Sequence, residues 1–244
     1  MKIALIGDIH ANLPAFQAVL ADITTQGVDA IWNAGDSVGY GPFPNEVLDM
    51  LQERDILSIA GNYDLKTLSI PTRSTKWQQK KHPLKLIAFQ WAYDTLTPAN
   101  RNYLRSLPEQ RRLKAMNKDI LLTHASPVSN KEFISGNTSK KRLKELAVAS
   151  AANIVICGHS HQAFAGKAKG VWFINTGSVG RPDDNNPAAC YAILKLEEQS
   201  ISVEHNRVEY DVKRTIEAIH AKHLPPEFAE MFMQGRSLND VLNK

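Results

Sequence analysis

Aspartate, asparagine and histidine residues follow short apolar runs at five places in the sequence. The first is Gly7-Asp8-Ile9-His10, which comes directly after the run 2–6. Residues two apart in an extended segment project to the same side, so Asp8 and His10 are placed to bind one metal ion together. Taken alone, such an Asp-x-His pair is more often a turn with a surface histidine.

The same pattern, an apolar run followed by side chains that can bind a metal, occurs at four later positions. The polar residues there are Asp36, Asn62, His124, His159 and His161. Each one alone is explained as well by a turn, a helix cap or a hydrogen-bonded turn histidine. Together, in this order and at matching run ends, they favour one shared site at the sheet edge where the carboxyl ends of parallel strands meet.

The resulting set offers carboxylate, amide and imidazole ligands and no thiolate. Oxygen and nitrogen ligands of this kind suit divalent transition metals such as Mn, Fe, Zn, Ni or Co better than a soft, thiolate-preferring ion. The sequence has no recognisable glycine-rich phosphate loop and no serine-type nucleophile elbow. We therefore expect metal-dependent chemistry that needs no side-chain nucleophile.

Eight short runs rich in β-branched residues predict the strands that position these side chains. The runs span 2–6, 30–33, 56–60, 119–123, 153–157, 171–175, 190–196 and 201–204. Apolar residues at helical spacing predict a first helix, with Asn12 as its cap and Pro14 in its first turn. Further helices are predicted from about residue 44 and over 84–96, 98–107 and 139–150.

Strands alternate with helices in the first half of the chain, and the second half is largely β. This order predicts an α/β protein, and two stacked sheets flanked by helices would accommodate so many strands. A chain of 244 residues with 43% hydrophobic content can bury one sizeable core, so we expect a single domain over 1–244. The tail from about residue 211 is predicted to be helical and carries no recognisable chemical motif.

Several features bear on where the protein works. The sequence opens on a strand-like run instead of a basic leader with an apolar stretch, so we expect no signal peptide. No apolar run approaches the roughly 20 residues needed to cross a bilayer, which argues against membrane association. Only Cys157 and Cys190 are present, and two cysteines are consistent with a reducing compartment. We expect a cytoplasmic protein.

The net charge of +4 is mild, but basic residues cluster in 73–85, 101–118 and 140–144. Such clusters favour anionic partners. Solvated helix surfaces carry lysine and arginine just as readily, so nucleic acid is compatible with these segments but is not specifically indicated. The sequence gives no indication of the oligomeric state.

The ordered motifs GDIHAN, GDSVGYG, GNYD, THASP and GHSH resemble those of the calcineurin-like metallophosphoesterases over residues 1–196. The later segments NTGSVGRP and NPAA are similar to small bacterial and archaeal members of that family. The resemblance implies a four-layer α/β/β/α sandwich of two mixed sheets around a binuclear metal centre. One metal would be held by Asp8, His10 and His161, the other by Asn62, His124 and His159, with Asp36 bridging the two.

The resemblance also implies an activity. We expect a metal-dependent hydrolase that cleaves phosphoester bonds, with phosphodiesters, nucleotides or dinucleotide polyphosphates as small anionic substrates. Two metals that share a water lower its pKa, so a bridging hydroxide is the expected nucleophile. Asp36, Asn62, His124 and Tyr63 are the expected catalytic residues. A nuclease acting on DNA or RNA and a non-catalytic, metal-stabilised interaction module are the alternatives.

Tyr63 departs from the family pattern, because many relatives carry a histidine there that is thought to protonate the leaving oxygen. A phenol, with a reference pKa of about 10, stays protonated at neutral pH and can donate a hydrogen bond. It is poorly matched to shuttling a proton. Tyr63 is therefore either a donor to the leaving group or a residue that packs beside the site, and substrates with acidic leaving groups should suffer least from the change.

Overall fold

The computed structural model describes residues 1–243, and its strands form two mixed sheets of five strands each. The strands of the first sheet are β1 (Lys2–Ile6), β2 (Ala30–Asn33), β3 (Leu57–Ser58), β9 (Ala189–Leu196) and β10 (Ile201–Val208). Their order is β10-β9-β1-β2-β3. The pairs β1–β2 and β2–β3 are parallel, whereas β9 runs antiparallel to both of its neighbours.

The second sheet has parallel strands at its centre and antiparallel strands at its edges. Its members are β4 (Gln110–Ala115), β5 (Lys118–Thr123), β6 (Ile154–Cys157), β7 (Phe164–Ala168) and β8 (Val171–Asn175). Their order is β4-β5-β6-β8-β7. The central strands β5, β6 and β8 therefore carry their carboxyl ends to the same edge.

The described chain also contains ten α-helices and one 3₁₀ turn. They are α1 (Leu13–Gln26), α2 (Pro44–Glu53), α3 (Asn62–Leu68), the 3₁₀ turn Ile70–Thr72, α4 (Thr75–Gln79), α5 (Pro83–Thr95), α6 (Pro98–Ser106), α7 (Lys140–Ser150), α8 (Val212–Ala221), α9 (Pro226–Gln234) and α10 (Leu238–Leu242). Asn12 caps α1 as predicted, since its side chain accepts a hydrogen bond from the Ala15 N–H. None of these helices, within residues 1–243, is long and apolar enough to span a bilayer.

Alternation along the strands divides the core into layers. In β1, Ile3 and Leu5 face the second sheet and pack in a buried cluster with Ile120 of β5. The alternate residues Ala4 and Ile6 point the other way, into a cluster with apolar residues of α1 and α2. Helix α7 covers the outer face of the second sheet through Leu143 and Leu146. The predicted α/β/β/α sandwich is thus confirmed.

The helices α8 to α10 form a further buried cluster with α5 and with the loop after β2. Phe228 and Phe232 of α9 lie in its centre, and Leu238 of α10 is also buried. The Tyr40 and Phe228 rings meet edge to face with centroids 5.2 Å apart. The tail is therefore helical as predicted, and it packs beside the loops at the carboxyl ends of β2 and β3.

Candidate metal centre

The structure brings all seven predicted ligands to one edge of the two sheets. Asp8, Asp36 and Asn62 follow β1, β2 and β3 of the first sheet. His124 follows β5, and His159 and His161 follow β6, both in the second sheet. Because parallel strands deliver their carboxyl ends to the same edge, residues distant in sequence meet there.

Asp8, His10 and His161 form the first cluster, in which the potential ligand atoms all lie within 4.8 Å of one another. Asp8 Oδ1 lies 3.3 Å from His161 Nε2. The Nε2 atoms of His10 and His161 are 3.2 Å apart. Three ligand atoms thus converge in a fully buried setting.

A second cluster consists of Asp36, His124 and His159, again with all ligand atoms within 4.8 Å. Asp36 Oδ2 lies 3.3 Å from His124 Nε2 and 4.0 Å from His10 Nε2 in the first cluster. The same carboxylate oxygen therefore faces both clusters. The Asn62 amide joins the second cluster, with its Nδ2 atom 2.9 Å from His159 Nδ1.

Each aspartate uses one oxygen to bind the backbone and leaves the other for the site. Asp8 Oδ2 accepts a hydrogen bond of 2.8 Å from the His159 N–H. Asp36 Oδ1 accepts one of 2.7 Å from the Tyr63 N–H. These bonds fix the orientation of both carboxylates, so that Asp8 Oδ1 and Asp36 Oδ2 point at the histidines.

Backbone carbonyls orient two of the histidines in the same way. His124 Nδ1 lies 2.9 Å from the Ala34 carbonyl oxygen, and His161 Nδ1 lies 2.7 Å from that of Arg181. A ring nitrogen that donates its proton to a carbonyl leaves the opposite nitrogen with a free lone pair, which is the usual arrangement of histidines that bind metals. In both rings the free nitrogen is the Nε2 atom of the cluster.

The local backbone is strained where the ligands sit. Five of the seven have left-handed φ angles between 49° and 67°, namely Asp8, His10, Asp36, His159 and His161. Each such non-glycine residue costs about 1 kcal/mol or more, a cost typical of functional sites. Glycines permit the close approach around them: a Cβ on Gly61 would lie 2.1 Å from Asp36 Oδ1, and one on Gly158 would lie 2.3 Å from Asp8 Oδ2.

The clustered charges of the site shift one another's pKa values. Burial by itself would raise the pKa of Asp36, but the adjacent His124 outweighs it and holds that pKa well below its usual range. Burial opposes the charge on His124 as well, yet attraction to Asp36 raises the pKa of His124 to about 9. Burial and then the Arg181 charge lower the pKa of His10 well below its usual value.

Polar atoms without partners complete the case that metal ions fit these residues. Within residues 1–243, Asp8 Oδ1 and His124 Nε2 are buried and have no hydrogen-bond partner. Leaving such an atom unsatisfied costs about 1–3 kcal/mol. Converging carboxylate and imidazole groups are the mixed oxygen and nitrogen ligands that divalent transition metals take.

A cavity of about 340 Å³ opens beside the two clusters. Tyr63 lies in its wall, where the ring meets that of His10 edge to face at 5.1 Å. The Tyr63 hydroxyl lies 3.0 Å from the Tyr40 hydroxyl. Sequence motifs did not identify several other residues of the wall, namely Lys66, Lys85, Phe133, Arg181 and Asn239.

Of these, only two carried a signal in the sequence. Lys66 follows Asn62 by four positions, so the two share a helix face, and Lys66 Nζ donates to Asn62 Oδ1 over 3.1 Å. Arg181 belongs to the late NTGSVGRP segment. Tertiary folding alone brings Lys85 and Asn239 to the cavity.

The family model described as the calcineurin-like phosphoesterase superfamily domain matches residues 1–199. The chain belongs to this superfamily. The match covers both sheets except β10, and it ends before α8. Members of this superfamily are metal-dependent phosphoesterases, and the two clusters described above are candidate sites for their metals.

Individual proteins of the superfamily are similar over most of the chain. An uncharacterized protein of Methanocaldococcus jannaschii is 32% identical, with 96% of this chain and 98% of that protein covered. The crystal structure of a metallophosphoesterase from Sphaerobacter thermophilus is 28% identical and has a TM-score of 0.79, with 96% of this chain and 100% of that one covered. A symmetrical bis(5'-nucleosyl)-tetraphosphatase of Baumannia cicadellinicola is 32% identical over 51% of this chain and 42% of its own length.

Proposed function

We propose that this protein hydrolyses phosphoester bonds of small phosphodiesters, nucleotides or dinucleotide polyphosphates with two divalent metal ions. Asp8, His10 and His161 would hold one ion, and Asn62, His124 and His159 the other. The observation that carries the proposal is the position of Asp36 Oδ2, which lies 3.3 Å from His124 Nε2 and 4.0 Å from His10 Nε2. A single carboxylate oxygen that faces both ligand clusters is what a shared ligand requires.

Two divalent ions in such a site supply water activation and neutralise the phosphoryl oxygens during in-line displacement. The chain's own residues would provide the rest. Asp36 sets the spacing of the two ligand clusters, and its hydrogen bond from the Tyr63 N–H keeps the carboxylate from rotating. Arg181 and Lys66 add positive charge at the cavity, where the phosphate oxygens would lie.

The two tyrosine hydroxyls in the wall would supply a hydrogen-bond donor. Burial raises the pKa of both Tyr40 and Tyr63, so both keep their protons at neutral pH. Only one of the two protons can lie in the hydrogen bond between the hydroxyls. The second is available to an oxygen in the cavity, and Tyr63 is the residue that we assign to contact the leaving group.

Three observations support a nucleotide-like substrate. Phe133 lies at the cavity with its ring 61% exposed, and it stacks on the His159 ring with centroids 4.7 Å apart. An exposed aromatic ring offers a surface on which a nucleobase can stack. The cavity is too small for a folded protein, and one relative is a bis(5'-nucleosyl)-tetraphosphatase by name.

The buried thiols Cys157 and Cys190 fit a reducing compartment, and we propose the cytoplasm.

Turnover of a substrate panel by the metal-loaded protein tests the proposal. The panel contains phosphomonoesters, phosphodiesters, dinucleotide polyphosphates and a single-stranded oligonucleotide, each assayed with Mn, Fe, Zn, Ni and Co. We expect hydrolysis of small substrates that a chelator abolishes and added metal restores. Preference for the oligonucleotide, with strongly salt-dependent binding, would favour a nuclease. No turnover with any metal would favour the non-catalytic module.

A further inference from the structure

Three cationic side chains line the cavity beyond the proposed metal ligands: Lys66, Lys85 and Arg181. Arg181 is only 8% exposed, and its Nε atom has no hydrogen-bond partner within residues 1–243. Its Nη2 atom lies 3.5 Å from His161 Nε2, and its guanidinium lies over the Tyr40 ring at 5.0 Å. A guanidinium that lines a cavity is suited to bind an anionic group.

The two lysines add to the same positive field. Lys66 Nζ lies 4.7 Å from the centroid of the Tyr63 ring, which also lines the cavity. Burial and then the Arg181 and Lys81 charges lower the pKa of Lys85. Lys85 and Arg181 therefore lie close enough for their charges to repel.

None of these three cations forms an ion pair with a carboxylate of residues 1–243. Within residues 1–243, the ion pairs of lysine and arginine side chains lie elsewhere, at Lys114, Arg142 and Arg207. Asp183 also lines the cavity, but its Oδ2 atom is directed at His161 Nδ1, 3.8 Å away. None of the three cations has a carboxylate of the described chain as its ion-pair partner. A single phosphate at the metal ligands would not need all three of them.

We propose that Lys66, Lys85 and Arg181 bind a second phosphate group, adjacent to the one held at the metal ligands. The preferred substrates then carry a diphosphate or a longer phosphate chain, and compounds with one phosphate bind less tightly. This inference rests on the proposed function, because it places the first phosphate at the metal ligands.

Helix α10 forms part of the same subsite, although it lies outside the matched family domain. Lys85 Nζ donates to Asn239 Oδ1 over 3.3 Å, and Leu238 beside it is anchored in the buried cluster of the tail. Asn239 thus directs the Lys85 ammonium group without neutralising its charge. The C-terminal helices would in this way shape which phosphate compounds are accepted.

Lys85 is the most informative residue to change. Lys66 donates to Asn62 and Arg181 lies against His161, so replacing either would also disturb a proposed metal ligand. Lys85 contacts Asn239 instead. Lys195 provides a matched control, because it is an exposed lysine of β9 that pairs with Lys2 at the start of β1, opposite the end that carries the site.

The test measures binding without turnover, by calorimetry on the metal-loaded protein, with methylenediphosphonate and methylphosphonate as probes. Metal content and thermal stability are checked for every variant. We expect Lys85→Ala to lower the diphosphonate affinity about ten-fold more than the methylphosphonate affinity, since a hydrogen bond to a charged group is lost. Lys85→Arg should retain most of the diphosphonate preference, and Lys195→Ala should match the wild type.

A second variant tests the role of the Lys85 charge by changing its neighbour Asn239. Asn239→Asp puts a carboxylate beside Lys85, in the first turn of α10 where acidic residues are favourable, and should also reduce the diphosphonate preference. If both variants keep the wild-type ratio of the two affinities, the second-phosphate subsite is wrong, whether or not the protein hydrolyses any ester. Absence of turnover with an altered ratio would instead contradict the proposed function alone.

Discussion

At the scale of single residues, Asp36 is the position of the proposed centre that should tolerate substitution least. One carboxylate oxygen is held by the Tyr63 N–H, and the other faces both ligand clusters. Asp36→Ala removes the ligand that the two ions would share, so we expect turnover to nearly vanish. The loss should exceed the about 10- to 100-fold typical of removing an outer partner of a metal ligand.

Initial rates and metal content of Asp36→Ala and His10→Ala, measured side by side, check this prediction. His10→Ala removes a ligand of one cluster only and should be the milder change. If Asp36→Ala kept wild-type turnover while His10→Ala abolished it, Asp36 would not be the shared ligand.

Tyr63 should govern which leaving groups are tolerated. Its hydroxyl lies in the cavity wall beside that of Tyr40, where relatives with histidine would place a better proton donor. Protonation matters most when the departing alkoxide is strongly basic. Tyr63→His should therefore raise kcat/KM for alkyl phosphate esters relative to aryl esters, by about ten-fold or more.

Steady-state kinetics on matched alkyl and aryl esters, with metal content held equal, provide the measurement. An unchanged ratio of kcat/KM between the two ester classes would assign Tyr63 to packing. The ring contacts with His10 and Phe89, at centroid distances of 5.1 and 4.9 Å, would then be its main role.

At the scale of elements, the turn between β3 and α3 admits no side chain at Gly61. A Cβ there would lie 2.1 Å from Asp36 Oδ1 and 2.2 Å from Asp36 N. Gly61→Ala should displace the Asp36 carboxylate, lower the metal content below that of the wild type and lower Tm by several degrees, as a loss of about 1–3 kcal/mol would.

Gly136→Ala is the matched control for that substitution. Gly136 has an ordinary φ, and a Cβ there would meet only Phe164 Cδ2 at 3.7 Å. Metal content and Tm of this variant should equal those of the wild type. Equal metal content in Gly61→Ala and Gly136→Ala would show that the close approach at Gly61 does not matter for the site.

The sequence predicts the buried elements well because their apolar pattern is continuous. The strands Lys2–Ile6, Ala30–Asn33 and Val171–Asn175 have the predicted bounds. The predicted strand 56–60 is reduced to Leu57–Ser58, since its last residues form the turn that presents Asn62. The edge strands β4 and β7 were not predicted, because β4 exposes most of its side chains and β7 buries none of its residues completely.

The same contrast holds for the site. The meeting of the proposed ligands at one sheet edge was predictable, because each follows a strand. The cation Lys85 and the amide Asn239 were not, since their contact joins residues 154 positions apart on two helices without motifs. Only tertiary packing of the tail onto α5 brings them together.

At the scale of the whole molecule, we propose that residues 1–243 form a single cooperative domain that includes the C-terminal helices. Asn12, the cap of α1, links the tail to the sandwich. Its side chain donates to the Tyr210 hydroxyl over 3.0 Å and accepts from the Thr215 hydroxyl over 2.8 Å.

Phe228→Ala tests that proposal. The ring is fully buried against Tyr40, so its truncation should lower the free energy of unfolding by about 3–5 kcal/mol. Urea titrations followed by circular dichroism and by activity should give one shared, shifted transition. Met233→Ala, on the same helix but 50% exposed, should change stability by less than about 0.5 kcal/mol. A separate early transition confined to the tail would show that α8 to α10 unfold independently.

The metal content of the wild-type protein tests the central claim most directly. Chains loaded with Mn²⁺ and freed of unbound metal are analysed for ions per chain by elemental analysis. The two clusters, joined by Asp36 Oδ2, predict two ions per chain. One ion or fewer, with all seven proposed ligands intact, would contradict the binuclear centre.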